Sequence, residues 1–313
     1  MKKEVMIQSP LTRKSMWARI FASRELWLFC LPGLIITLIF HYWPLYGIQI
    51  AFRDYSVRKG IWGSEWVGWT HFIRFFNSPN AAQIIWNTFV LSIYSLVVGF
   101  PIPIILALLL NSLRFNRYRK VIQTVTYAPN FISVVVMCGM IILFLSPRVG
   151  MVNKIITMTG GDSVNFMGLA STWRHIYVWT GVWQSMGWSS VVYFAALSGV
   201  SPELHEAAIV DGATKLQRII HIDLPQIMPV AVMLLILSFG SMLSIGFEKA
   251  YALQNPLNSG VSEIISTYVY KVGILQASQA YSTAIGLFNS VVNAVLLLTV
   301  NWVSGKLSDN ALF

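Results

Sequence analysis

Acidic residues are scarce in this chain of 313 residues: 12 Asp and Glu stand against 22 Lys and Arg, and charged residues make up only 11% of the whole. They are missing from nearly all of the long apolar stretches, as expected where an unpaired carboxylate in hydrocarbon is costly. Glu248, at the edge of the fifth stretch, is the exception. Cysteine is nearly absent too. Cys30 and Cys138 both sit inside apolar stretches and read as small packing residues, not as a bridge or a metal pair. No Gly-x4-Gly-Lys-Ser/Thr occurs, so the chain has no phosphate-cradling loop and does not hydrolyse ATP by that route. HExxH is absent, as are paired carboxylates within an apolar stretch and any Ser/His/Asp grouping at an arguable spacing, and the chain reads as non-catalytic.

What remains is apolar: 56% of the residues are hydrophobic, and the mean hydropathy is +0.63. That is too apolar for an ordinary soluble domain. Six stretches, at 26–52, 85–110, 120–145, 175–200, 227–248 and 280–304, reach the ~20 residues a helix needs to cross a bilayer. They are continuous and not short and alternating, which excludes a barrel and predicts an all-α membrane protein of six transmembrane helices. A cleaved signal peptide would have a shorter apolar region, whereas 26–52 runs on through Trp43 and Tyr46. Residues 1–25 then form a cytoplasmic N-terminal segment and 26–313 the six-span domain.

The net charge of +10 does not point to nucleic acid, because the basic residues cluster beside the spans. Lys2, Lys3, Arg13, Lys14, Arg19 and Arg24 precede the first span, and Arg114, Arg117, Arg119 and Lys120 fill the link between the second and third. By the positive-inside rule both segments are cytoplasmic, both termini lie in the cytoplasm, and 53–84, 146–174 and 249–279 lie outside.

Several spans depart from a plain bundle. Pro32, Pro44, Pro101, Pro103, Pro129, Pro225 and Pro229 interrupt them, and broken helices are tolerated at membrane depth only where protein or a water-filled cavity surrounds them. Asn87, Gln123, Asn130, Gln184, Asn289 and Asn293 place amides in the spans, with interhelical hydrogen bonding and a pathway lining both open as readings. The fourth span is rich in rings: Trp179, Trp183, Trp188 and Tyr193. Gln184 and Trp188 lie one turn apart, an amide and a ring on one surface, suited to a sugar or equally to core packing. Asn130, Trp183, Gln184, Trp188 and Tyr193 are the candidate substrate-pathway residues.

Residues 201–226, SPELHEAAIVDGATKLQRIIHIDLPQ, are the one strongly patterned cytoplasmic segment. Ser201 is a good N-cap, with Pro202 at the first helical position and Glu203 behind it. Gly212 ends that helix, and Thr214 with Gln217 has the spacing of a capping box, which predicts a second helix running to about His221 before Leu224 and Pro225 enter the membrane. Leu204, Ala207, Ala208, Leu216, Ile219 and Ile220 give the pair apolar faces, which in cytosol need cover, from a partner or from the protein's own helix ends.

Glu206, Ala207, Ala208, Asp211, Gly212, Ala213, Ile222, Leu224 and Pro225 resemble the EAA loop of binding-protein-dependent ABC importer permeases, after the fourth of six spans on the predicted cytoplasmic side. YWPLYGIQIAFRDYSVRKGIWGSEWVGWTHFIRFF at 42–76 and TYVYKVGILQASQAYSTAIGLFNSVVN at 267–293 look like the oligosaccharide and polysaccharide branch of that family. The resemblance implies the type I ABC importer permease fold, with loop 201–226 as a coupling helix-turn-helix that docks into a cleft on a separate ATPase subunit. Carried over by position, Glu206 is the polar contact to the ATPase, Ala207 and Ala208 permit close approach, Gly212 allows the turn, and Asp211, Leu224 and Pro225 complete the motif. It further implies an oligosaccharide substrate, a second related permease in a heterodimer, a dimer of ATPase subunits holding ATP and Mg²⁺, an extracytoplasmic substrate-binding protein, and a place in the bacterial cytoplasmic membrane. No cofactor is expected in this chain. Arg53, Arg58, Arg74 and Arg148 on the outer side leave acidic oligosaccharides open. The rival is an ion-coupled carrier, which needs intramembrane carboxylates or histidine relays, and for that role the chain offers only Glu248, His41 and His175.

Overall fold

Broken helices dominate the architecture. The computed structural model describes residues 24–113 and 115–307. The basic residues Lys2, Lys3, Arg13, Lys14, Arg19 and Arg114, and most of the expected 1–25 segment, lie outside the described residues. The chain divides into two units, residues 1–49 and 50–313.

In the first unit an α-helix, Arg24–Thr37, passes through a π turn at Leu38–Tyr42 and continues from Trp43 as a tighter 3₁₀ helix. Pro32 and Pro44 each remove a backbone donor, and the change of pitch next to Pro44 is the adjustment such a loss calls for. Its side chains, among them Leu28, Phe29 and Ile36, are apolar and exposed, which suits lipid as solvent.

In the second unit the second span is Ala81–Gly99 followed by Pro101–Asn111. The fourth is a single helix, Ala170–Leu197, that packs along the second span and against the third and fifth. The sixth, Gln279–Leu307, lies against the fifth. Among the described residues, four helices are long and apolar enough to cross a membrane: Trp27–Phe52, Ala81–Asn111, Lys215–Gly240 and Gln279–Lys306. The fourth span has the length, at 28 residues, but its Trp, Tyr, Ser and Gly residues dilute its hydropathy.

The third span is not the continuous helix expected at 120–145. Asn116–Phe131 and Val134–Phe144 meet at a bend of 98°. Pro129 ends the first piece in a 3₁₀ turn at Ala128–Phe131, and Ser133 starts the second as its N-cap, accepting from the Val136 N–H at 3.3 Å. The fifth span also ends earlier than expected, at Gly240 and not at 248, and a turn then leads to a short helix at Phe247–Ala252.

Beside the helices, the described residues hold one small sheet. Arg53–Asp54 pairs antiparallel with Glu65–Trp66, in the register Arg53↔Trp66 and Asp54↔Glu65. The Arg53 guanidinium donates to the Ser64 carbonyl at 2.9 Å and lies 5.5 Å from the Trp66 ring centre, so this aromatic-rich loop is folded and not slack.

Long-range ties from the fourth span hold the segment that follows the fifth. Trp173 is fully buried and donates its indole N–H to the Leu253 carbonyl at 3.1 Å, while Tyr177 donates its hydroxyl to the Gly246 carbonyl at 3.2 Å. Of the six amides flagged in the spans, Asn87, Gln184 and Asn293 are hydrogen-bonding glue. Asn87 donates to the Gly260 and Glu263 carbonyls and accepts from Arg174, and Asn293 accepts from the Leu243 N–H and donates to the Ser244 hydroxyl.

Candidate functional site

The segment 201–226 forms as its local chemistry dictates. The Ser201 hydroxyl accepts from the Glu203 N–H at 3.3 Å with Pro202 in the first turn, and the helix Pro202–Val210 follows. Gly212 then adopts φ +79°, a conformation that costs glycine nothing and strains any other residue. The capping box is present: Gln217 accepts from the Thr214 N–H at 2.7 Å, and the Thr214 hydroxyl accepts from the Gln217 N–H at 3.4 Å.

The second helix does not stop near His221. Lys215–Arg218 passes through a π turn at Ile219–Asp223 straight into Leu224–Gly240. The reason is Pro225: it has no N–H to offer the preceding turn, and a wider turn just before it absorbs the deficit without a break. The loop and the fifth span are therefore one helix, Lys215–Gly240, of 26 residues.

Glu206, Ala207 and Asp211 are exposed, Ala208 is half-buried, and so is Leu224, whose side chain packs with Ile219 against the buried cluster of Ala107, Tyr193, Leu197 and Ile227. Pro225 is exposed on the helix surface. Apart from Ile219, the apolar faces of the loop are mostly not covered by the protein's own helix ends, since Leu204, Ile209, Val210, Leu216 and Ile220 are all exposed. Glu206 also borders a cavity of about 950 Å³ that carries Arg119, Lys215 and Arg218.

Sequence reasoning missed the tie that joins this loop to the membrane. His205 Nε2 lies 3.2 Å from Asp223 Oδ1, and Asn111, at the end of the second span, donates to the same oxygen at 3.4 Å. Asp223 is buried, with 3% of its surface exposed, so one carboxylate gathers the first loop helix, the second span and the root of the fifth. The available signal was the acidic residue inside the I-x-LP stretch, where an apolar neighbourhood is a costly place for a charge without partners.

A second feature lies deeper. The second, fourth and fifth spans, with the turn after the fifth, line an open cavity of about 690 Å³, within the range of ligand sites. Of the five pathway candidates, Trp188 and Tyr193 line it, and Asn130, Trp183 and Gln184 do not. Gln184 donates to the Ile132 carbonyl at 2.8 Å and so pins the bend of the third span. Trp183 is half exposed elsewhere on the helix, and Asn130 sits in the 3₁₀ turn at that bend. Trp188 meets Phe131 edge to face at 6.1 Å. Close approach of the third and fourth spans depends on Gly187, where a Cβ would lie 2.1 Å from the Thr126 carbonyl oxygen.

Glu248 is exposed, and its neighbour Lys249 is the buried charge, donating to the Tyr177 carbonyl at 2.6 Å beneath that tyrosine's ring. Among the described residues, no three His, Cys, Asp or Glu side chains come together as a metal site.

Comparison with known proteins places these features. The model of the family described as "Binding-protein-dependent transport system inner membrane component" matches residues 99–309. The polygalacturonan/rhamnogalacturonan transport system permease protein YteP of Bacillus subtilis (strain 168) is 41% identical over 301 residues, 96% of this chain and 94% of that one. Among solved structures, a bacterial ABC transporter involved in the import of the acidic polysaccharide alginate matches with a TM-score of 0.86 at 38% identity, over 94% of this chain and 99% of that one. A bacterial alginate ABC transporter in complex with an alginate pentasaccharide-bound periplasmic protein matches with a TM-score of 0.85 at 39% identity, over 93% and 98%.

Proposed function

The chain belongs to the family of binding-protein-dependent transport system inner membrane components, and from that premise we propose that it is a membrane-spanning, non-catalytic subunit of an ATP-driven importer that brings acidic oligosaccharides into the cell. The acidic class is supported by the two kinds of relative: a permease named for polygalacturonan and rhamnogalacturonan and a transporter of alginate, each sharing more than a third of its residues with this chain. The ion-coupled carrier has no support, since its one carboxylate candidate, Glu248, is exposed.

The carrying observation is the loop. A capped helix-turn-helix with exposed apolar faces, and Glu206 and two alanines on its first helix, is built to seat in a cleft of a partner. Small residues allow close approach, and the Glu206 carboxylate meets basic or backbone donors at the contact. In our reading the partner is one of two ATPase subunits that hold ATP and Mg²⁺, and the other subunit engages the same loop of a second, related permease. The termini and the loop face the cytoplasm of a bacterial cell, and the substrate-binding protein docks outside.

Transmission follows from the unbroken helix. When the ATPase dimer closes and shifts Lys215–Arg218, the fifth span moves with it, because no hinge separates the loop from Leu234, Leu237 and Ser238 at the cavity. The His205–Asp223–Asn111 tie adds the first loop helix and the second span to the same lever. The cavity wall is thereby switched by a bistable packing change and not by local flexing.

The test is ATPase activity of the importer purified with its second permease, ATPase and binding protein, comparing wild type with Glu206→Ala and Gly212→Pro. We expect binding protein loaded with oligogalacturonate to stimulate wild type and both variants to lose that stimulation while remaining assembled. Normal transport by the variants, or no ATPase in the complex, rejects the proposal.

A further inference from the structure

The 690 Å³ cavity is bordered by Ser92, Ser95, Ser189, Ser238 and Ser241 and, among the described residues, by no Asp, Glu, Lys, Arg or His. These serines come from all three spans. Ser92 and Ser95 lie three residues apart on one helix face, whereas Ser238 sits in the last turn of the fifth span and Ser241 just beyond its end at Gly240. The Ser92 and Ser238 hydroxyl hydrogens are used within their own helices, on the carbonyls of Thr88 and Leu234, both at 2.7 Å, which leaves the oxygens as acceptors. Ser95 differs: its hydroxyl is buried and has no hydrogen-bond partner among the described residues. Buried hydroxyls are normally satisfied, so an unpaired one at a cavity calls for a ligand. Trp188, more than half exposed, adds a ring face to the same wall.

Building on the importer reading above, we propose that this wall is a charge-free ladder of hydroxyls on which a passing saccharide exchanges its hydration water, with Ser95 as the hydrogen-bonding contact and Trp188 as the surface for the apolar face of a sugar ring. A pathway must bind well enough to admit its cargo and weakly enough at several sites to release it. A fixed cation here would hold a uronate too firmly, since charge pairs strengthen steeply away from water. Serines spaced along the path give weak, repeated contacts that neutral and acidic sugar units satisfy alike. Selection for charge then rests with the binding protein, and selection in this half of the pathway is for hydroxyl-bearing rings.

The test uses the whole importer in proteoliposomes with trigalacturonate-loaded binding protein and internal ATP. With Ser95→Ala we expect the saccharide taken up per ATP hydrolysed to fall about fivefold, the worth of one hydrogen bond, with no loss of thermal stability. An orphan hydroxyl of purely structural origin predicts unchanged uptake, and that result, or a fall in stability, overturns the proposal. Ser95→Arg should lower uptake of trigalacturonate still further, and a rise would overturn the charge-free reading. Ser95→Cys, in a chain with Cys30→Ser and Cys138→Ala, should react with a negatively charged, membrane-impermeant thiol reagent and be shielded during turnover. A thiol that never reacts sinks the proposal even if the alanine variant fails to assemble. Should wild type show no stimulation by loaded binding protein, the importer reading fails; should stimulation persist with normal Ser95 variants, the ladder alone fails.

Discussion

The loop at 201–226 and the wall around the 690 Å³ cavity, which we propose serve one process, are specified in opposite ways. The loop is written locally: a serine cap, a glycine at φ +79°, and a capping box from Thr214 to Gln217 fix its path, and neither Pro202–Val210 nor Lys215–Arg218 buries a single residue. The wall is written at long range. It exists because the fourth span packs along the second and against the fifth, and the fourth is held on another face where Gly187 admits the Thr126 backbone and Gln184 pins Ile132 of the third span. A surface that must engage another subunit is best kept independent of the core behind it. A pathway that must change shape is best built from packing with discrete alternatives.

The comparison breaks most visibly at the long-range end. Gly187→Val would drive a side chain into the Thr126 carbonyl, an obstacle made of backbone that has no rotamer to escape into. We expect a loss of about 3 kcal/mol or more, at the upper end for overpacking, seen as collapse of the detergent-solubilised complex in thermal unfolding. Full thermal stability would mean the third and fourth spans are not held as described. Next in size is Asp223→Ala, which strands His205 and Asn111 where the two regions join. A buried polar group left without its partner costs about 1–3 kcal/mol. The expected readout is a large fall in the ratio of stimulated to basal ATPase activity, in excess of any loss in assembly, and a double-mutant cycle with His205→Ala should show coupling. Strict additivity would remove the tie from the lever.

The same contrast explains what the sequence could tell. The loop was legible because caps, turns and the EAA pattern act over a few residues, and Ser201, Gly212, Thr214 and Gln217 all do what their positions imply. Its continuation through Pro225 was not, since a π turn leaves no compositional mark. The spans were legible from apolar length, but the 98° bend was not, because Pro129 and Ser133 inside an apolar run resemble the prolines that other spans absorb. In the wall, rings drew attention and serines did not, although only Trp188 and Tyr193 of the five candidates line the cavity. Periodicity finds faces; which face meets a cavity is settled by the partner helices. Glu248 was singled out as the charge at the membrane edge, yet the buried one is Lys249, because one residue along a helix turns a side chain by about 100° and exchanges outside for inside.

The smallest expected effect is the sharpest test of local specification. Thr214→Ala removes the hydroxyl that accepts from the Gln217 N–H, while the Gln217 side chain still reaches back to the backbone N–H of residue 214. Half the box survives, so the cost should sit near or below about 1 kcal/mol, the typical worth of such a cap. If the loop is as independent of the core as its burial implies, that cost stays in the loop. The start of the second helix frays, stimulation by the binding protein falls a few-fold, and thermal unfolding of the complex does not shift. Gln217→Ala should do the same, and the double variant should add little to either, because the two side chains form one unit. If Thr214→Ala instead lowers the unfolding midpoint as far as Asp223→Ala does, the loop draws its shape from the core, and the separation between the two regions does not hold.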